Sequence, residues 1–356
     1  MPILSSIFPV LPKYPGPYQV GSIEVEVPLP EVKNFSLTET RVETVLARFF
    51  YPTNFSGSRK RIASPTWLPQ PATEYAKGYA QFLKQHTFAV YLAIAFAVYN
   101  KTIPAVENAP PIIPSDSPLP VVIFSHGLGG SRNAYSQWCG SLASYGVFVA
   151  AIEHRDGTAP ISIVNAGTEN QSHVPYRRIT EYNNETKHLR TSQLAQRAYE
   201  VFKLISFLRD INHGKLLNIN PEKMSILDQF KGRLNTKKGQ FIMAGHSFGA
   251  ATTVVVCKDT ENVETNYPLK DEFKAAILLD IWMLVGLPLH VHANLLATQR
   301  NSGCEIDCSL FTHYFRSIPE VVRELSSFSI AVGRIPELVI VCEVILCQRF
   351  STSVAI

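Results

Sequence analysis

Gly245-His246-Ser247-Phe248-Gly249 sets a serine between two glycines at the spacing of a nucleophile elbow, a turn so sharp that only small residues fit at its flanks. A serine hydroxyl is a weak nucleophile. It needs a base to take its proton, an acid to orient the base, and donors for the oxyanion that forms on attack. Ser125-His126-Gly127-Leu128-Gly129-Gly130 supplies a glycine-rich segment able to turn its amides toward a substrate, and the backbone N–H groups of Leu128 and Phe248 are the expected oxyanion hole. Asp280 closes an apolar run after the serine, matching the Ser, Asp, His chain order of such enzymes. The bland counterparts are a tight glycine turn at each segment and a helix cap at Asp280.

These groups need a rigid scaffold, and the surrounding sequence predicts one. Val121–Phe124, Val147–Ile152, Phe241–Ala244 and Ala275–Leu279 are short, wholly apolar runs, as expected of parallel strands covered on both faces. Leu194, Ala198, Val201, Leu204, Ile205 and Leu208 recur at helical spacing between the second and third runs, which makes a crossover helix. The alternation predicts an α/β fold, an α/β-hydrolase with a doubly wound, mostly parallel sheet and a nucleophile elbow. Ala250–Val256 is expected as the helix that follows the elbow, and Arg155–Lys187, polar and without period, as a long loop over the carboxyl ends of the strands. Residues 1–118, rich in proline, with strand-like runs at Gly21–Val27 and Val42–Tyr51 and an apolar helical segment around Tyr75–Val98, read as an N-terminal layer at the mouth of the site.

Composition excludes several classes. With 356 residues, 46% hydrophobic and 17% charged, the chain can bury a large core and is neither disordered nor fibrous. The net charge of +4 is scattered rather than gathered in a stripe, which argues against a nucleic-acid partner. The apolar stretch Phe88–Tyr99 is too short for a membrane span, and Glu337–Phe350 is interrupted by Glu343. The N-terminus lacks a basic stretch ahead of its apolar residues, and six cysteines fall short of a disulfide framework, so a cytoplasmic location is expected. Neither Cys304 with Cys308 nor Cys342 with Cys347 has partners at zinc-finger spacing, so no metal and no cofactor is expected.

Phe124-Ser125-His126-Gly127-Leu128-Gly129, Glu153-His154-Arg155-Asp156, Pro175-Tyr176-Arg177-Arg178, the elbow, and Leu279-Asp280-Ile281-Trp282-Met283 together resemble the platelet-activating factor acetylhydrolase family, in order and spacing. Arg48-Phe49-Phe50-Tyr51-Pro52 and Trp67-Leu68-Pro69 fit its N-terminal portion. The resemblance implies a calcium-independent serine esterase that removes short or oxidised sn-2 acyl chains from glycerophospholipids, a 1-alkyl-2-acetylglycerophosphocholine esterase. It makes Ser247 the nucleophile, Asp280 the triad acid, and Leu128 and Phe248 the oxyanion donors, with His154, Arg155 and Asp156 as structural support. It ends near residue 285, and the Gly-x-x-His turn by which the family delivers its base does not occur after Asp280. His290 and His292 lie too close to Asp280 for a helix and strand to intervene, so His313 is the expected base.

A single domain is expected, with an N-terminal layer at 1–118, a catalytic core at 119–284 and a divergent tail at 285–356. The phospholipid is the expected partner. Phe82, Leu83, Phe88, Val90, Tyr91 and Leu92 offer an apolar surface for peripheral membrane contact, or else simply core. Two other functions stand beside the esterase: a catalytically impaired hydrolase fold that binds lipid or a partner, and a general carboxylesterase or lipase.

Overall fold

The computed structural model describes residues 11–55, 64–83, 101–113, 117–181, 183–215, 221–257, 269–279, 329–335 and 338–344. Its centre is strand β4 (Val121–Ser125), lying parallel between β5 (Phe148–Glu153) and β8 (Phe241–His246). Val122 stands beside Val149 and Ile242, and Phe124 beside Ala151 and Ala244, all on one face of the sheet. Ile123, with Ala150 and Met243, faces the other way. Both faces are therefore buried, which is why these runs are apolar throughout rather than alternating.

Helix α2 (Ser136–Ala143) covers the first face through Cys139, Leu142 and Ala143. The second face is covered by α3 (Asn184–Asn212), through Leu194, Ala198, Val201, Leu204 and Leu208, and by α4 (Phe248–Cys257). Each fully buried leucine or valine among them contributes about 1.5–3 kcal/mol relative to exposure. Asn183 starts α3 with a reciprocal capping box, accepting from the Thr186 amide while the Thr186 hydroxyl accepts from its own.

Strand β9 (Phe273–Leu279) continues the parallel run beyond β8. Past it, β11 (Leu338–Val344) pairs parallel with β9, and β10 (Ser329–Ile335) pairs antiparallel with β11. At the opposite side β2 (Thr40–Thr53) runs antiparallel to β5 and forms a long hairpin with β1 (Gln19–Phe35), to which the two-residue strand β3 (Val106–Glu107) adds. The order is β10-β11-β9-β8-β4-β5-β2-β1-β3. The described parts of the N-terminal layer and of the tail thus add strands to the same sheet that carries the core.

The stretch read as a structureless loop contains an antiparallel hairpin, β6 (Ile161–Val164) with β7 (Ser172–Pro175). It escapes a period search because β6 is four residues and wholly buried, while β7 is largely exposed and ends in proline. Ile161 and Ile163 pack against Leu68, Ala72, Tyr75 and Ala76, so the hairpin docks on α1 (Ala72–Phe82). The continuation of the apolar segment from Lys84 to Asn100 lies outside the described residues.

Candidate active site

Strand β8 ends at His246 and α4 begins at Phe248, leaving Ser247 alone to make the turn, with φ +54°. That left-handed conformation costs a residue with a Cβ on the order of 1–3 kcal/mol and persists only where the surroundings hold it. Here they do. The Ser247 amide donates to the Leu279 carbonyl at 2.9 Å, and its own carbonyl accepts from Ala250 at 3.0 Å as the first turn of α4 closes. A Cβ at Gly245 would lie 2.2 Å from the Gly249 oxygen, and a Cβ at Gly249 would lie 2.0 Å from the Ser125 oxygen. Both glycines of the motif are thus steric necessities, and Ser247 sits half-buried at the apex.

The segment after β4 runs alongside this turn. A Cβ on Gly127 would stand 3.2 Å from the Ser247 Cβ and 3.2 Å from the His246 oxygen, so the backbone leading into Leu128 borders the serine directly. Gly129, at φ +71°, donates to the Thr158 carbonyl at 2.8 Å, and Gly130 donates to Gly127 at 3.1 Å. Tyr135 Oη accepts from the Gly127 amide at 3.3 Å and lies 2.7 Å from His246 Nδ1, tying the glycine segment to the elbow. Ser247, Leu128 and Phe248 are therefore brought together. Asp280 and His313 lie outside the described residues, as do His290 and His292; Leu279, paired with His246, immediately precedes Asp280 in the chain.

Beneath the glycine segment lies a buried polar network that the sequence reading placed only as support at His154, Arg155 and Asp156. Ser125 Oγ is 2.8 Å from His154 Nε2, and His154 Nδ1 is 2.5 Å from Glu200 Oε2. The His154 amide donates to His126 Nε2 at 3.1 Å, so that nitrogen is an acceptor and the proton sits on His126 Nδ1, which donates to the Gly127 carbonyl at 2.8 Å. Arg197 donates to Asp156, Thr158 and the His126 carbonyl, and its guanidinium lies 4.6 Å from the centre of the Phe248 ring. Arg155 pairs with Glu26, while Arg132 pairs with Glu153 and Glu24. Of these groups, sequence reasoning missed Glu200, Arg197, Thr158, Arg132, Glu24 and Glu26, as it did Tyr135.

The electrostatics follow from burial. Desolvation, reinforced by Arg197, holds His126 down to about 4, and desolvation with Arg197 and His126 holds His154 well below the usual imidazole range. Both rings are neutral at pH 7. Glu200 is pushed up to about 8 by burial and by the nearby Asp156 carboxylate, so it holds a proton at neutral pH.

A mostly parallel sheet between helices, with a strained serine at a strand-to-helix turn beside a glycine segment on the neighbouring strand, defines the class as an α/β-hydrolase. A family profile described as platelet-activating factor acetylhydrolase, isoform II, matches residues 5–296, and the chain belongs to that family. A putative phospholipase A2 of Schizosaccharomyces pombe is 36% identical over 299 residues, covering 79% of this chain and 67% of the relative. Platelet-activating factor acetylhydrolases of Bos taurus (31% identical) and Canis lupus familiaris (28% identical) each match 77% of this chain. The chain spans 55% of the length of each of these two acetylhydrolases. A ferulic acid esterase from Streptomyces cinnamoneus is a more distant structural neighbour, 16% identical, with a TM-score of 0.44 over 75% of this chain and 60% of the other. Among the described residues no helix is long and apolar enough to cross a membrane.

Proposed function

We propose that this chain is a serine esterase that hydrolyses the short or oxidised sn-2 acyl ester of a glycerophospholipid. The observation that carries the reading is Ser247 at φ +54°, half-buried at the apex of the turn and bordered by Gly127. In this reading Ser247 Oγ attacks the ester carbonyl, and a histidine oriented by Asp280 takes its proton; His313 is the base the chain order offers. The tetrahedral oxyanion is held by the amides of Leu128 and Phe248. The histidine then protonates the leaving lysophospholipid oxygen, and water releases the acyl group by the same route in reverse.

The family supports the lipid substrate, since the relatives carry phospholipase A2 and platelet-activating factor acetylhydrolase names. The chain is proposed to act as a single domain in the cytoplasm, a location supported by the free, buried thiols of Cys139 and Cys257. Contact with a lipid surface is proposed through the end of α1, where Leu83 is 52% exposed.

A fluorophosphonate probe tests the chemistry, and paired substrates test the class. The expected result is labelling of the wild-type chain, none in Ser247→Ala, and faster hydrolysis of acetyl than of palmitoyl at sn-2. Absence of labelling identifies an impaired fold that binds rather than cleaves, and equal rates identify a general lipase.

A further inference from the structure

We infer that Ser125, His154 and Glu200 form a buried positioning relay that sets the oxyanion segment against the elbow, and that Ser125 and Glu200 act on turnover through the backbone at His126 to Leu128. The inference rests on the esterase reading of Ser247.

The three side chains have the connectivity of a catalytic triad, hydroxyl to Nε2 and Nδ1 to carboxylate, at 2.8 and 2.5 Å. Ser125 and His154 are 0% exposed and Glu200 is 2% exposed, so no substrate reaches them. Their value is positional. Ser125 is the last residue of β4 and the residue before His126, His154 follows β5, and Glu200 lies in the middle of α3. The relay therefore joins three elements at the root of the glycine segment. His126 is held three times over, at Nε2 by the His154 amide, at Nδ1 by Gly127, and at its carbonyl by Arg197 at 2.8 Å. Ser125 and His126 carbonyls in turn form the wall against which Gly249 of the elbow fits.

The relay has two proton arrangements. With Glu200 protonated, its hydroxyl donates to His154 Nδ1, and His154 Nε2–H donates to Ser125 Oγ. With Glu200 ionised, His154 carries its proton on Nδ1 and the Ser125 hydroxyl donates to Nε2. The groups that face Glu200 are Gln196 and Arg197 on α3, and His154, the Arg155 amide and Asp156 after β5; His126, after β4, lies against the His154 ring at 5.1 Å between centres. Gln196 also accepts from Thr38 and Thr40 at the β1–β2 turn, and Arg155 pairs with Glu26 of β1. Burial beside Asp156 places the exchange at about pH 8.

The test uses the full chain and steady-state hydrolysis of an acetyl ester from pH 6 to 9.5, with circular dichroism and melting temperature as controls for folding. Ser125→Ala is expected to lower kcat at least 30-fold at pH 7 with KM within twofold. Glu200→Leu is expected to do the same. Glu200→Gln, whose amide donates to His154 Nδ1 permanently, is expected to keep kcat within threefold and to lack the inflection near pH 8 expected of the wild type. The inference is overturned if folded Ser125→Ala or Glu200→Leu keeps wild-type kcat, or if loss of activity tracks only the folded fraction. Should both fail to fold, Glu200→Gln decides, because an unchanged pH profile overturns the relay. A wild type that does not hydrolyse the ester through Ser247 refutes the esterase reading instead, which Ser247→Ala run in parallel reveals.

Discussion

Gly249→Ala perturbs the closest approach in the site. The new Cβ would stand 2.0 Å from the Ser125 oxygen, 2.6 Å from the Ser125 carbonyl carbon and 2.9 Å from the His126 oxygen. Ordinary contact begins near 3.4 Å. All three obstacles are backbone, so no side chain can swing away, and the start of α4 must separate from the end of β4 by more than about 1 Å. That gap opens between the two segments that carry the Leu128 and Phe248 amides. A misplacement of about 1 Å costs on the order of 100-fold in rate, and loss of one oxyanion donor costs about 100- to 1,000-fold. The expected outcome is a kcat lowered about 100-fold, with overpacking destabilising the fold by about 1–3 kcal/mol. Gly167→Ala is the control. Gly167 also has a positive φ, +78°, but a Cβ there meets nothing within 4 Å, so it adds backbone strain without touching the site. Hydrolysis of a chromogenic acetyl ester, corrected for active-site concentration by fluorophosphonate titration, and melting temperature are read for both variants. If Gly249→Ala keeps kcat within threefold, or loses no more than Gly167→Ala, the argument that the elbow and the oxyanion segment must abut is wrong.

Ser247→Ala is expected to lower kcat by at least about 1,000-fold, since removal of a triad member leaves only the catalysis of the oxyanion hole and binding, and a smaller loss excludes direct attack by this serine. Full activity is expected in EDTA, because backbone dipoles take the place of a Lewis acid; loss restored by calcium or zinc would overturn this. Arg132→Met strips Glu153, 1% exposed, of a partner at 2.7 Å and Glu24 of one at 2.8 Å, and is expected to cost about 3–5 kcal/mol in urea unfolding; less than about 1 kcal/mol would contradict it. His126 titrates at about 4 in the fold against 6.5 in the open chain, so between those values the unfolded chain holds the extra proton. Its contribution, about 3 kcal/mol, is complete above pH 6.5 and lost as pH falls through 4. Glu200, raised to about 8, contributes with the opposite slope, so the test compares the wild type with His126→Gln, whose stability is expected to fall less between pH 7 and 4; equal slopes would refute the assignment.

The elbow and the four core strands were legible because their physics is local. A glycine on either side of a serine after an apolar run admits few conformations, and a run apolar at every position has to be covered on both faces. The polar network was not legible, because its partners are distant in sequence. Glu200 is 46 residues from His154, and α3 buries Arg190, Gln193, Arg197 and Glu200 as well as Leu194, Ala198 and Val201, so its charges read as a solvated face when they are interior. One signal did point there. Glu153 ends a strand buried at every position and His154-Arg155-Asp156 follow it at once, and four ionisable groups in such a place need partners from whatever covers the strand. Cohesion alone does not account for them, since apolar residues of equal volume often replace buried ion pairs at no cost or with a gain. Hydrogen bonds are directional where dispersion contacts are not, and the groups at stake are the carbonyls of His126 and Gly127. Apolar packing would hold that backbone near the elbow. The network holds both carbonyls in one orientation, and the Gly127 carbonyl shares its peptide plane with the Leu128 amide, so the proposed oxyanion donor is oriented by the same hydrogen bonds.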